Sequence, residues 1–258
     1  MKKGRITQEE QTYRIGMLLR FIFIFRYVTR EQLLQFGKDR LKLSHQRWLI
    51  DYSVKRGFIA TYHEQILMHK VYYLTARGKA FISKYESFIR HYRFDHTNTG
   101  FNTFAHQKAV VESYFYLYKH LDIKEWIPEW VIKKDHWATD KIPDGVIVTS
   151  SGLKIALEVE TWYKKRGTWK TVVYRYNREM SSSAPRYDVV LIVASNSCYD
   201  GIKNRLFYID REFIKKAFII SSFFMLDIDR CFYQDEYMSL KEAVGLIYDR
   251  KSVVKAAS

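Results

Sequence analysis

The sequence predicts an α+β chain in two parts: an N-terminal domain of three helices and a β-hairpin over residues 1–95, then a mixed α/β domain over residues 101–258. Three observations predict it. Apolar residues recur at spacings of three and four from Gln8 onward, and short β-branched runs alternate with helical patterns after residue 120. Between the two parts, residues 90–106 are polar, contain Gly100 and lack a sustained period, which marks a linker. With 258 residues, 47% of them hydrophobic, the chain can bury a core in each part.

The first helix runs from Gln8 to about Arg26, with Ile15, Leu18, Leu19, Ile22 and Phe23 on one face. In "VTREQLLQFG" Thr29 and Gln32 have the spacing of a capping box, Leu33, Leu34 and Phe36 form the buried stripe, and Gly37 is a candidate stop. A third helix spans "LSHQRWLIDYSVKRGFI", with Ser44 as cap, Leu49, Ile50 and Val54 facing inward, and Gly57 ending it. "FIATYHEQ" and "HKVYYLTARG" read as two strands of a hairpin, followed by a helix from Thr75.

In the second part a helix over roughly Thr103–His120 carries Glu112. "EWVIKKD", "DGVIVTS", "KIALEVET" and "YDVVLIVAS" read as strands, with the helix "TWKTVVYRYNREM" before the last. Helix, three strands, helix, strand is the layout of a mixed sheet with helices on its faces. After residue 200, "IKNRLFYIDREFIKKAF" reads as a helix, "FFMLDID" as a strand and "SLKEAVGLIYD" as a short final helix.

Composition narrows the function. The net charge of +15 is uneven: residues 1–100 carry 19 Lys and Arg against 8 Asp and Glu, whereas residues 101–258 carry 24 against 20. A basic N-terminal part attracts polyanions, nucleic acid above all. The apolar run "MLLRFIFIFRYV" is broken by Arg20 and Arg26, so no membrane span is expected. Cys198 and Cys231 lack metal or redox spacing and read as buried thiols of a cytoplasmic protein. Phosphate-cradling glycine motifs and a Gly-x-Ser-x-Gly elbow do not occur, which leaves nucleotide hydrolysis and that type of acyl transfer unsupported.

Three helices and a hairpin in this order resemble a winged helix-turn-helix. In that fold the third helix enters the major groove, which makes His45, Gln46 and Arg47 the candidates for base edges. Lys55, Arg56 and Lys70 are then the candidates for phosphates.

The stretch "KIPDGVIVTSSGLKIALEVETWY" gathers acids. Asp144 opens one strand, and Glu158 and Glu160, two apart, share a face of the next. Converging carboxylates repel unless a cation compensates them, and Mg²⁺ is a cation that takes such oxygen ligands. "PD" at 143–144 followed by "EVE" resembles the PD-(D/E)xK nuclease superfamily. That resemblance implies a restriction-endonuclease-like fold, with Asp144, Glu158 and Glu160 as metal ligands and Glu112 assisting. Glu160 stands where the superfamily usually has its lysine; some of its restriction enzymes have Glu at that place and still cut, and Lys170 or Lys154 are the candidates for a lysine supplied from elsewhere. Lys164, Lys165 and Arg175 are then candidates for DNA phosphates.

The winged helix followed by "HQKAVVE", "IPDGVIV" and "ALEVETWYKK" resembles the replication-relaxation family over approximately residues 10–210. The resemblance implies an accessory protein of a mobile element, acting in plasmid replication or mobilisation at an origin. It would bind double-stranded DNA, with a relaxase or replication protein and a second copy of the chain as further partners. Two other readings stand beside it: a Mg²⁺-dependent DNA endonuclease, and a transcriptional repressor that uses only the winged helix. Mg²⁺ is expected as cofactor only where the acids form an active site.

Overall fold

The structure is a computed structural model that describes residues 7–43, 47–64, 69–85, 101–135, 141–162, 166–223 and 230–256. It is a mixed α+β chain that divides into two compact units, Met1–Val111 and Glu112–Ser258. Among the described residues no helix is long and apolar enough to cross a membrane.

The first unit begins with α1 (Gln8–Phe25), whose predicted apolar face is buried at Ile15, Leu18, Leu19, Ile22 and Phe23. Arg26, with φ of 65°, turns the chain into β1 (Tyr27–Thr29). This short strand was not legible in "VTREQ", where the helical stripe dominates. It pairs antiparallel with β3 and makes a three-stranded sheet in the order β1-β3-β2, from β2 (Ile59–Glu64) and β3 (His69–Leu74). Helix α2 (Arg30–Asp39) starts at the predicted capping box, with Gln32 N–H donating to Thr29 Oγ1 at 3.3 Å and Thr29 N–H to Gln32 Oε1 at 3.0 Å. It runs past Gly37, which is buried inside the helix and is not its stop.

Helix α3 (Arg47–Lys55) ends as predicted at Gly57, which has φ of +68°. Phe58 N–H donates to Ser53 O and Gly57 N–H to Val54 O, both at 2.9 Å, the two bonds of a Schellman close. Val54 corrects the predicted inward face: it is exposed, and Ser53 is buried instead, its hydroxyl donating to Leu49 O at 2.8 Å. The predicted cap Ser44 lies outside the described residues.

Helix α4 (Ala76–Ile82) is capped by Thr75, whose Oγ1 accepts from Gly78 N–H at 3.1 Å and donates to Gly57 O at 2.6 Å. A Cβ on Gly78 would lie 2.1 Å from Phe58 O, so this position requires glycine for close packing of the helix on the chain. Helix α5 (Phe101–His120) contributes Phe104, stacked on Tyr27, to the first unit and Tyr114, edge-on to Trp126, to the second.

The second unit is built on a seven-stranded mixed sheet in the order β10-β9-β8-β7-β6-β5-β4. The edge strand β4 (Ile123–Pro128) corrects the prediction, which placed a strand on "EWVIKKD"; those residues form helix α6 (Glu129–Asp135). Pro128 has no N–H to continue a ladder and sits at the strand's last position, an arrangement an edge strand tolerates. β5 (Gly145–Thr149) and β6 (Lys154–Glu160) form the predicted hairpin, turning through Gly152 at φ of +83°.

Helix α7 (Arg166–Met180) leads to β7 (Val189–Ala194), which runs parallel to β6. Helix α8 (Asn196–Ala217), interrupted at Asp210, leads to β8 (Phe218–Ser222), parallel to β7. β8, over "FIISS", was not predicted; of the strand expected at "FFMLDID", residues 224–229 lie outside the described residues. β9 (Cys231–Tyr233), β10 (Glu236–Met238) and α9 (Leu240–Ala256) complete the unit, the last helix reaching well beyond the short one expected. Trp169, Val172, Val173 and Tyr176 of α7 pack with Ile202 and Leu206 of α8 on the sheet face that carries Ala156, Ile192 and Ala194.

Candidate functional site

The β5–β6 register brings the predicted acids together. Asp144 N–H donates to Leu157 O at 2.9 Å, which starts the ladder one residue before β5. The Asp144 carboxylate then turns onto the neighbouring strand, Oδ2 accepting Val159 N–H at 2.7 Å. Val159 separates Glu158 from Glu160, so Asp144 is tied to the backbone between the two glutamates. Alternation along β6 puts Glu158 and Glu160 on the face of Ala156, the side covered by α7. Both are buried, at 1% and 3% exposure, although ionised carboxylates are costly to bury unless paired.

Compensation for Glu158 comes from two side chains that sequence reasoning did not assign to it. Lys141 Nζ lies 2.7 Å from Glu158 Oε1 and also donates to Ile142 O at 2.9 Å. The Tyr176 hydroxyl, from the buried face of α7, donates a hydrogen bond to the same Glu158 oxygen. Burial opposes the charge on Lys141, but Glu158, Asp144 and Glu160 together hold its ammonium above the ordinary lysine range. Burial also pushes Glu158 up, against the pull of Lys141 and Tyr176. Tyr176 is pushed well above its ordinary value by burial and by the neighbouring carboxylate, so it stays a neutral donor.

The Mg²⁺ implied by the resemblance does not fit this donor set. Among the described residues no group of three His, Cys, Asp or Glu side chains is arranged to hold a metal ion. Mg²⁺ binds at about 2.0–2.1 Å and keeps several waters, whereas Glu158 is sealed from solvent and its Oε1 already receives an ammonium and a phenol. An ion on that oxygen would sit within about 5 Å of the Lys141 ammonium. The repulsion is roughly 7 kcal/mol at an effective dielectric of 20.

No known protein family, curated protein or solved structure matches this chain.

The remaining predicted residues fall in several places. Lys170 is exposed on α7, Lys154 is exposed at the start of β6 and Glu112 is exposed on α5. Arg175 shares a small recess with Lys141, Tyr176, Arg178, Glu179, Arg186 and Tyr187. Lys164 and Lys165 lie outside the described residues, as do His45 and Gln46. In the first unit Arg47, Lys55 and Arg56 are exposed on and just after α3, and Lys70 is exposed on β3. Arg56 lies over the Tyr52 ring at 5.8 Å and Lys70 over Tyr72 at 5.7 Å. Asp51, exposed on α3, sets one negative charge among them.

Lys141 escaped prediction because it precedes the Pro-Asp pair in a stretch with no period. Its one signal was the lysine itself, three positions before Asp144. Tyr176 packs on the sheet from the buried face of α7, and how that helix lies on the sheet brings its hydroxyl to Glu158.

Proposed function

We propose that this protein is a DNA-binding accessory protein of a mobile element. It acts at an origin of plasmid replication or transfer, beside a relaxase or replication protein. The observation that carries this reading is the exposed set Arg47, Lys55, Arg56 and Lys70 on and just after α3 and on the β2–β3 hairpin, within the part of the chain that holds most of the net positive charge. The order of three helices and a hairpin supports a winged helix, in which α3 is the reading element and Lys70 flanks the backbone. The second unit, by its Pro-Asp and Glu-x-Glu strands, supports a nuclease-like domain used for contact and assembly. The cleaving reading fits less well, because Glu158 Oε1 is engaged by Lys141.

The test is binding of the full chain to labelled duplexes from the neighbourhood of its own coding sequence and to random duplexes, over about 50–200 mM salt. Tighter binding to an origin-like segment is expected, with log affinity falling linearly with log salt. Arg47→Ala with Lys55→Ala should weaken binding and flatten that slope by about 0.9 for each lost phosphate contact. Binding unchanged by the pair removes α3 from the account, and preference for a promoter over an origin favours a repressor.

A further inference from the structure

The acids of the second unit and their buried lysine carry a step that does not rest on DNA binding. We propose that the Lys141 ammonium is the resident counter-ion of the buried Glu158 carboxylate beside Asp144 and Glu160, standing where a divalent ion on that oxygen would otherwise be needed.

The pieces are placed for that role. Lys141 Nζ is 2.7 Å from Glu158 Oε1, within bonding distance of an oxygen whose residue is 1% exposed. Its side chain keeps only 20% of its surface in solvent, so the ammonium is held in the cluster and not extended away from it. Its second partner is a backbone carbonyl, Ile142 O at 2.9 Å, which uses another donor and fixes the direction of the amine. Backbone and phenol donate here too: Val159 N–H to Asp144 and the Tyr176 hydroxyl to Glu158. A flexible lysine from a loop would serve as a phosphate contact, whereas one fixed by a carboxylate and a carbonyl is an internal counter-ion.

The placement also accounts for the departure at Glu160. A lysine on β6 at that position would share the face of Glu158 and compensate it from the same strand. Here that place is an acid, and the positive charge enters from the segment before β5.

The experiment measures Mn²⁺ binding to the full-length chain by the loss of free-ion paramagnetic resonance signal, together with thermal unfolding in EDTA and in excess Mn²⁺. Wild type should bind no ion at the cluster, so Glu158→Gln leaves the titration unchanged and Mn²⁺ leaves the Tm within about 1 °C, since a ligand that does not bind the native state does not stabilise it. Lys141→Ala should leave Glu158 without its ammonium and take up one Mn²⁺ per chain, lost again when Glu158→Gln is added. Its Tm should rise by about 5 °C or more with the ion at 100 times its dissociation constant. Lys141→Arg, which keeps the charge, should behave as wild type and guards against misfolding of the alanine variant. A wild-type ion that Glu158→Gln removes overturns the proposal, and so does a folded Lys141→Ala that takes up none. Neither outcome bears on the DNA reading, whose test contains no metal.

Discussion

The ammonium of Lys141 lies 2.7 Å from Oε1 of Glu158, a carboxylate with 1% of its surface exposed. A charge pair of this kind is more informative when broken than when counted. Its formation is offset by desolvation of both ions, whereas removal of one partner strands the other in a medium that cannot solvate it.

Lys141→Met should therefore destabilise the protein by about 3–5 kcal/mol, read from the urea midpoint of the second unit. Lys170→Met and Lys154→Met, at exposed positions, should stay within about 0.5 kcal/mol of wild type. Combining Lys141→Met with Glu158→Gln should cost clearly less than the two single changes together, because the pair fails as one object.

The same pair sets the alkaline limb of stability. Lys141 is raised above its ordinary 10.5 in the folded chain, so its contribution is fully present below that pH and is lost as pH rises through the folded value. The stability difference between wild type and Lys141→Met should be flat from neutral pH to about 10 and shrink above about 10.5. Unfolding midpoints taken across that range check it; a difference that disappears below pH 9 contradicts a charged Lys141.

Tyr176→Phe removes one of the donors on Glu158 while keeping the ring packed against Tyr187 and Phe218. The cost expected is about 1–3 kcal/mol, the penalty for a buried acceptor left short of a partner. A substitution that proves neutral would show that Lys141 alone satisfies the carboxylate.

Two glycines of the first unit should respond in opposite directions. Gly78→Ala places a Cβ 2.1 Å from the carbonyl oxygen of Phe58, a backbone atom that cannot move aside cheaply, and should destabilise by about 1–3 kcal/mol. Gly16→Ala, in the middle of α1 with nothing within 4 Å of the new atom, should stabilise by about 0.5–1 kcal/mol. Thermal unfolding of the single variants separates the two.

Local chemistry was legible and long-range placement was not. The Thr29 and Gln32 capping box, the left-handed close at Gly57 and the shared face of Glu158 and Glu160 each depend on residues a few positions apart. The strand Phe218–Ser222 was missed because its apolar run continues the helical pattern of α8 and is buried on both faces, so no alternation marks it. Val131 and Ile132 of α6 gave a β-branched signal, but Pro128 had already ended the ladder. Lys141 meets Glu158 across 17 positions of chain through the β5–β6 pairing, and periodicity cannot encode that meeting.

The most direct test of the central claim is a crystal structure of the protein grown in MnCl₂, with data collected at the manganese edge. No anomalous peak is expected among Asp144, Glu158 and Glu160, and the contact between Lys141 Nζ and Glu158 Oε1 should be unbroken. A manganese peak on Glu158 with Lys141 swung away would contradict it.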